Sequence, residues 1–251
     1  MLENALYVGL SRQLALRRQM DAVANNIANM NTTGFKKESV MFDQFLVDAG
    51  RNGARRDKIA FATERGTYRT LRDGPMTPTG NPLDIAISGD GYFQVQTDDG
   101  PRYTRNGNFR INADGFLSTN EGFLVLDDSG LATGQPGSPI EIGTQSTNIT
   151  ITDDGLINTA DGPVGRLALA RFDAPQEMRK SGNSLYSTDE APKPATGSVI
   201  RQGMLEGSNV QAVVEMTRMI DVLRSYKSTQ KLLETDNDLQ RRAIERLAQV
   251  S

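Results

Sequence analysis

Three pairs of adjacent carboxylates, Asp98-Asp99, Asp127-Asp128 and Asp153-Asp154, are the groups in this 251-residue chain best suited to chemistry. Two carboxylates flanking a glycosidic bond can hydrolyse it, and six to eight oxygens can hold calcium. None of the pairs has the D-x-D-x-D-G spacing of a calcium loop. On a strand, residues i and i+1 point to opposite faces, so a sequential pair does not converge. Asp99 and Asp154 also precede glycine, and Asp-Gly is a favoured hairpin turn. The pairs therefore read as turns. Histidine, cysteine and tryptophan are absent, which excludes disulfides, thiolate nucleophiles, zinc-cysteine sites and imidazole bases. The one catalytic alternative is a hydrolase working with carboxylates alone, and it needs two acids converging in a cleft. Gly89-Asp90-Gly91 lacks the third glycine and following helix of a phosphate loop. No catalytic residue, cofactor or metal site is expected.

The elements around these turns fall into three blocks. Leu2, Leu6, Gly9, Gln13, Leu16, Met20, Val23, Ile27 and Met30 repeat with 4,3 spacing, and seven of the nine are apolar. That is a heptad seam on one helix face. The spacing predicts a helix over residues 3–30, ending where Asn and Gly cluster at Asn29 to Gly34. Ala212, Met216, Met219, Leu223, Tyr226, Gln230, Leu233, Asn237, Gln240, Ile244 and Leu247 repeat the pattern, with eight of eleven apolar or aromatic. Ser208 with Gln211 three residues on fits a capping box at the start of this second helix, which no Gly or Pro interrupts from Val210 to Ser251. All ten prolines lie between Pro75 and Pro194. In that middle block glycines follow Asp, Asn, Glu or Ser at Gly91, Gly100, Gly107, Gly115, Gly122 and Gly130. Short apolar runs separate them, the pattern of an antiparallel β-domain. Leu83, Ile85 and Ile87 alternate with Asp84, Ala86 and Ser88, and Phe93 and Val95 with Tyr92, Gln94 and Gln96. Period 2 predicts a sheet with one buried face. Further strands are expected around 149–151, 167–172 and 199–205. The fold class is α+β: long N- and C-terminal helices pairing as a coiled coil, with a central, mainly antiparallel β-domain.

Charge follows the same blocks. Residues 1–72 carry 12 basic and 7 acidic groups, 73–205 carry 9 and 17, and 206–251 carry 7 of each. Such asymmetry marks changes of domain. Arg51, Arg55, Arg56 and Lys58 sit among Gly and Asp without interleaved aromatics, so they predict a solvated stretch or a protein contact and no nucleic-acid binding. No apolar run is long enough to span a membrane, and the N-terminus lacks the basic and apolar regions of a cleavable signal. Two seams of seven and eight apolar side chains are small against the entropy of ordering helices this long. The terminal helices are therefore expected to pack against those of other subunits, the behaviour of a polymerising protein.

Four sequence blocks carry a resemblance. Ala24-Asn25-Asn26-Ile27-Ala28-Asn29-Met30-Asn31-Thr32-Thr33-Gly34-Phe35-Lys36 resembles the N-terminal signature of bacterial flagellar rod and hook proteins. Leu83 to Val95, and Tyr103 to Phe109 followed by Asp114-Gly115-Phe116-Leu117, resemble that family's core strand and turn blocks. Glu206-Gly207-Ser208-Asn209-Val210, with Met219-Ile220 and Arg224-Ser225-Tyr226, is similar to its C-terminal signature. The length fits the mid-sized rod proteins. Residues 202–210 and 165–169 look nearer the proximal than the distal rod branch, the distal or another hook-type axial subunit being the alternative.

The resemblance implies a structural subunit of the basal-body rod, which polymerises into a helical tube and transmits torque from motor to hook. It implies export through the flagellar type III apparatus without a cleavable signal, and a place in the periplasmic rod. Its partners would be other axial proteins and copies of itself. The terminal helices, 1–34 with 206–251, would line the tube, with 35–75 as an extended connecting arm and 76–205 as the β-domain. The subunit interface is expected at Leu2, Leu6, Leu16, Met20, Val23, Ile27, Met216, Met219, Ile220, Leu223, Tyr226, Leu233, Ile244 and Leu247. The motif residues are Asn25, Asn26, Ala28, Asn29, Gly34, Phe35, Gly207, Ser208, Asn209 and Val210. The asparagines are expected to bond neighbouring backbone near the helix end, Gly34 to supply a positive φ, and Phe35 to anchor the exit.

Overall fold

An unbroken heptad pattern without proline makes the first element: α1 spans Leu2–Ala28. The computed structural model describes residues 2–48, 58–146, 148–182 and 184–248; among these, the side chains of 2–6, 44–48, 58–64, 240, 243, 244, 247 and 248 stay outside the description. Arg51, Arg55 and Arg56 fall outside the described residues, as do the side chains of Leu2, Leu6, Ile244 and Leu247. The chain divides into two compact units. One holds Met1–Ala28, Glu38–Thr70 and Gln211–Ser251; the other holds Asn29–Lys37 and Leu71–Val210.

In the first unit α1 is followed by a long antiparallel hairpin, β1 Glu38–Asp48 and β2 Lys58–Arg69, and by the C-terminal helix α2, Ala212–Ala248. The hairpin register runs from Glu38 opposite Arg69 to Asp48 opposite Lys58, with a slip between Met41 and Phe42. Both strands lie against α1, and α1 lies against α2. The helices run antiparallel, because Asn26 meets Glu215 at one end and Gly9 meets Leu233 towards the other. Glycine inside a helix costs about 1 kcal/mol relative to alanine. Here a Cβ on Gly9 would lie 2.5 Å from Leu233 Cδ2, so the glycine permits the close approach.

The second unit opens with β3 Met76–Pro78, β4 Ile85–Ser88, β5 Tyr92–Thr97 and β6 Gly100–Thr104. Then come β7 Phe109–Ile111, β8 Leu117–Thr119, β9 Leu124–Val125 and a short 3-10 helix, Asp128–Thr133. Strands β10 Thr150–Ile151, β11 Leu156–Thr159 and β12 Gly162–Arg166 form a small meander. The last are β13 Leu169–Arg171, β14 Arg179–Lys180, β15 Leu185–Ser187, β16 Lys193–Pro194, β17 Val199–Gln202 and β18 Met204–Glu206. The main sheet runs β14-β15-β6-β5-β9-β8-β7, with β13 also on β5, and its pairings are antiparallel. Strands β17 and β18 return to pair with β4 and β3, which brings residues 199–206 back beside residues 76–88.

The sheet is buried on both faces, which corrects the expectation of one. Phe93 and Val95 join Ile85, Ile87, Phe109 and Leu117 in one cluster. Tyr92 joins Tyr103, Phe172, Met178 and Tyr186 in another, with Tyr103 and Phe172 rings 4.7 Å apart, edge to face. Ala86, Asp84 and Gln94, which period 2 turns towards water, are buried. The aromatic residues supplied from β15 and the Phe172–Met178 segment roof the face that alternation alone leaves open.

Candidate functional site

In the second unit, the segment leaving α1 and the segment leading to α2 are tied together around buried charge. Gly34 N–H donates to Glu206 O at 2.8 Å, Asn209 N–H to Phe35 O at 3.3 Å, and Lys37 N–H to Asn209 Oδ1 at 2.7 Å. Beside these bonds Lys36 Nζ lies 2.6 Å from Glu206 Oε1, with the two side chains 2 % and 1 % exposed. Lys36 also donates to the carbonyls of Arg72, at 2.9 Å, and Leu71. Glu206 Oε1 accepts from Gly74 N–H at 2.9 Å, and its Oε2 from Arg105 Nη1 at 3.4 Å. Arg105 donates through Nη2 to Gly89 O at 2.6 Å and stacks over Tyr92. Asp73 lies 3.7 Å from both cations. Burial lowers the Lys36 ammonium below the ordinary lysine range, against the opposing pull of Glu206. A buried ion pair is weak evidence of stability, but losing one partner strands the other.

The motif residues build the exits from this junction. Gly34 has φ +69°, and a Cβ there would lie 2.5 Å from the Arg105 carbonyl carbon. Phe35 is buried, with Lys180 over its ring. Gly207 N–H donates to Pro75 O at 2.8 Å. Asn209 Nδ2 donates to Arg72 O at 2.8 Å. Ser208 Oγ accepts from Val210 N–H at 3.3 Å, and α2 begins at Ala212. This corrects the capping box: Ser208 turns the chain four residues before the first residue of the helix, and Gln211 supplies the first helical carbonyl, to Glu215. Val210 is buried.

Within the first unit, Asn26 serves the hairpin. Its Nδ2 donates to Glu38 O at 2.8 Å while its Oδ1 accepts Glu38 N–H at 2.9 Å, a two-pronged bond that satisfies the start of β1. Nδ2 also reaches Glu215 Oε2 at 3.2 Å. Asn25 donates to Glu38 Oε2 at 3.0 Å. Ala28 closes α1 and is exposed. Asn29, the first residue of the second unit, accepts from Thr32 Oγ1 at 3.2 Å.

The helix faces carry the expected interface residues. On α1, Val23 is buried and Leu16, Met20 and Ile27 are half-buried. On α2 the covered positions at 3,4 spacing are Ala212, Glu215, Met219, Val222, Tyr226, Thr229 and Leu233. Met219, Tyr226 and Leu233 belong to the expected seam. Met216 and Leu223, also of that seam, are 47 % and 38 % exposed, and Ile220 is 50 % exposed, whereas Val222 is 5 % exposed. The tail seam against α1 is thus displaced by one residue at alternate positions. Two polar residues share the inner face: Glu215 turns inward to Asn26, and Thr229 is buried with its hydroxyl satisfied within the helix by Ser225 O. An apolar count assigns both residues to the outside.

The acidic pairs do structural work. Asp127 Oδ1 accepts from Ser129 and Ser138 N–H groups and caps the 3-10 helix. Asp153 pairs with Arg201 at 3.3 Å and Asp154 with Arg166 at 3.2 Å. Asp98 and Asp99 turn β5 into β6. A cavity of about 300 Å3 adjoins the junction, walled by Lys36, Tyr92, Arg105 and Phe172 with Asp90 and Asp173. Asp173 is held below the ordinary carboxylate range by its hydrogen bond to Lys193. Among the described residues no group of acids is arranged to hold a metal, and no helix is long and apolar enough to cross a membrane.

Three family models match in order: a flagella basal body rod protein model over residues 6–36, a flagellar hook protein FlgE/F/G D1 domain over 86–159, and a flagellar basal body rod FlgEFG protein C-terminal model over 201–246. The chain is 43 % identical over 252 residues to the flagellar basal-body rod protein FlgF of Caulobacter vibrioides, covering 100 % of both chains. The chain belongs to the flagellar basal-body rod protein family. It is also 35 % identical to FlgF of Mesorhizobium japonicum over 100 % of both chains, and 32 % identical to the rod protein FlgG of Bacillus subtilis over 94 % of this chain and 96 % of that one.

Each matched segment gives this rod protein one charge of its buried junction: Lys36 from the first, Arg105 from the second, Glu206 from the third. All three residues lie inside the signature blocks, where the sequence alone gives them no role. The available signal was a long charged side chain two residues after or one or two residues before a glycine: Gly34-Phe35-Lys36, Arg105-Asn106-Gly107 and Glu206-Gly207. Glycine allows backbone to close around a charge.

Proposed function

We propose that the chain is a structural, non-enzymatic subunit of the proximal flagellar rod that polymerises through its terminal helices into a torque-transmitting helical tube. One observation carries the assembly part. Beyond the face of α2 that meets α1, Val213, Met216, Ile220 and Leu223 repeat at 3,4,3 spacing as a second, exposed apolar stripe. A monomer gains nothing from it, and exposed stripes of this kind mark interaction surfaces. Relatives named flagellar basal-body rod protein FlgF that match over the full length support the rod-subunit part.

In this reading residues 1–34 and 206–251 form the coiled-coil domain that lines the tube, 35–75 the connecting arm and 76–205 the β-domain. Leu2, Leu6, Ile244 and Leu247 extend the interface towards the helix ends. The subunit travels unfolded through the type III export apparatus and assembles in the periplasm with other axial proteins. Rod basal bodies purified from a strain whose own copy is deleted and replaced by a tagged chain test this: the tag co-purifying with rod and restored swimming support it, and restored swimming with the tag absent from rods overturns it.

A further inference from the structure

The two helices of the first unit expose two apolar stripes, and these lie at opposite ends of the pair. On α1 the stripe is Tyr7, Leu10 and Leu14; on α2 it is Met216, Ile220 and Leu223 with Val213 before them. Both repeat at 3,4 spacing, the geometry by which one helix seats its side chains between those of another. The antiparallel register is set by Asn26 against Glu215 and Gly9 against Leu233. By that register Leu10 stands level with residue 231 or 232 of α2. The centre of the α2 stripe lies about 13 residues away along the axis, or about 20 Å at 1.5 Å per residue.

We propose that the α1 stripe of one copy packs on the α2 stripe of the next copy in the rod, antiparallel and shifted by about 20 Å along the helix axis. This rests on the rod-subunit reading and specifies its contact. The occupant is a second copy because each copy carries both halves of the joint, at matching spacing. The α2 half is also continuous with the intrachain interface, one residue out of phase with Glu215 and Val222. A contact between unlike surfaces with an axial shift does not close on itself; repeated, it yields an open helical filament. An α2-on-α2 contact would instead be two-fold and would end at a dimer.

The chain has no cysteine, so the joint can be read by oxidative cross-linking in assembled rods. Leu10→Cys and Ile220→Cys chains are co-expressed in cells lacking the native copy, basal bodies are isolated, and products are resolved without reductant. Leu14→Cys with Met216→Cys provides a second pair in the same register. The expected result is a dimer band in the mixed strain at least tenfold stronger than in either single-variant strain, for both pairs. Equal dimer in the Ile220→Cys strain alone, a cross-link to a protein of different mass, or no cross-link in rods that contain the chain each overturns the pairing and leaves the rod reading intact. Absence of the unsubstituted chain from rods overturns the rod reading itself.

Discussion

Replacing Glu206 by Gln removes one charge from the centre of the junction while keeping its shape. The amide still accepts from Gly74 N–H. Lys36, 2 % exposed, and Arg105, 4 % exposed, keep only Asp73 at 3.7 Å to balance two positive charges. Breaking a buried pair by removing one partner costs about 3–5 kcal/mol, and 1 kcal/mol shifts Tm by about 2–4 °C for a unit of this size. The melting point of the β-unit is therefore expected to fall by about 10 °C, followed by near-ultraviolet circular dichroism of the buried Tyr92, Tyr103 and Tyr186. The deficit should also depend on pH. Burial places the folded-state pKa of Lys36 below its unfolded value. Between the two values the unfolded chain binds more protons, so stability rises with pH. Losing Glu206 deepens the depression, because Glu206 is the main group opposing it. The difference between variant and wild type should thus narrow as pH rises towards the ordinary lysine range, because the folded variant releases the Lys36 proton at lower pH than the folded wild type does. A Tm change below about 2 °C, or a deficit that widens on the alkaline side, would refute this account of the junction.

Asn26→Ala removes both prongs on Glu38 and the bond to Glu215, at about 1 kcal/mol net for each bond and more for the stranded Glu215; amide exchange at Glu38 should accelerate at least tenfold. Gly34→Ala meets both a positive φ and the Arg105 backbone, so the β-unit should lose about 1–3 kcal/mol in urea unfolding. Leu223→Asp should abolish swimming in a complemented null strain with the monomer's circular dichroism unchanged, whereas Val222→Asp, aimed at the intrachain seam, should reduce helical signal in the monomer as well. Equal effects of the two on the monomer would deny the one-residue phase difference.

The helices were legible because nothing in them competes: the heptad pattern without proline predicted 3–30 and a second helix to the chain end, and the elements run Leu2–Ala28 and Ala212–Ala248. The Asp-Gly and Asn-Gly turns located the sheet for the same local reason. The phase of the tail seam was not legible. Its inner face includes Thr229, a polar residue with no apolar signal, and Glu215, whose inward partner, Asn26, lies 189 residues away. Period 2 in β5 likewise could not announce that Tyr186 and Phe172 would cover its second face. The junction was hidden because its charges come from segments separated by 69 and 101 residues, and only the fold brings Lys36, Arg105 and Glu206 together. The sequence predicts extended structure over 35–75, but no local signal pairs the strands Glu38–Asp48 and Lys58–Arg69.

Assembly through the terminal helices is what we propose makes the rod. A cryo-electron microscopy map of basal bodies from a strain carrying this chain, at side-chain resolution, addresses it directly. The chain is expected in the rod wall with Met216, Ile220 and Leu223 packed against helices of neighbouring subunits. A map in which the chain is present but those three side chains face solvent would contradict it.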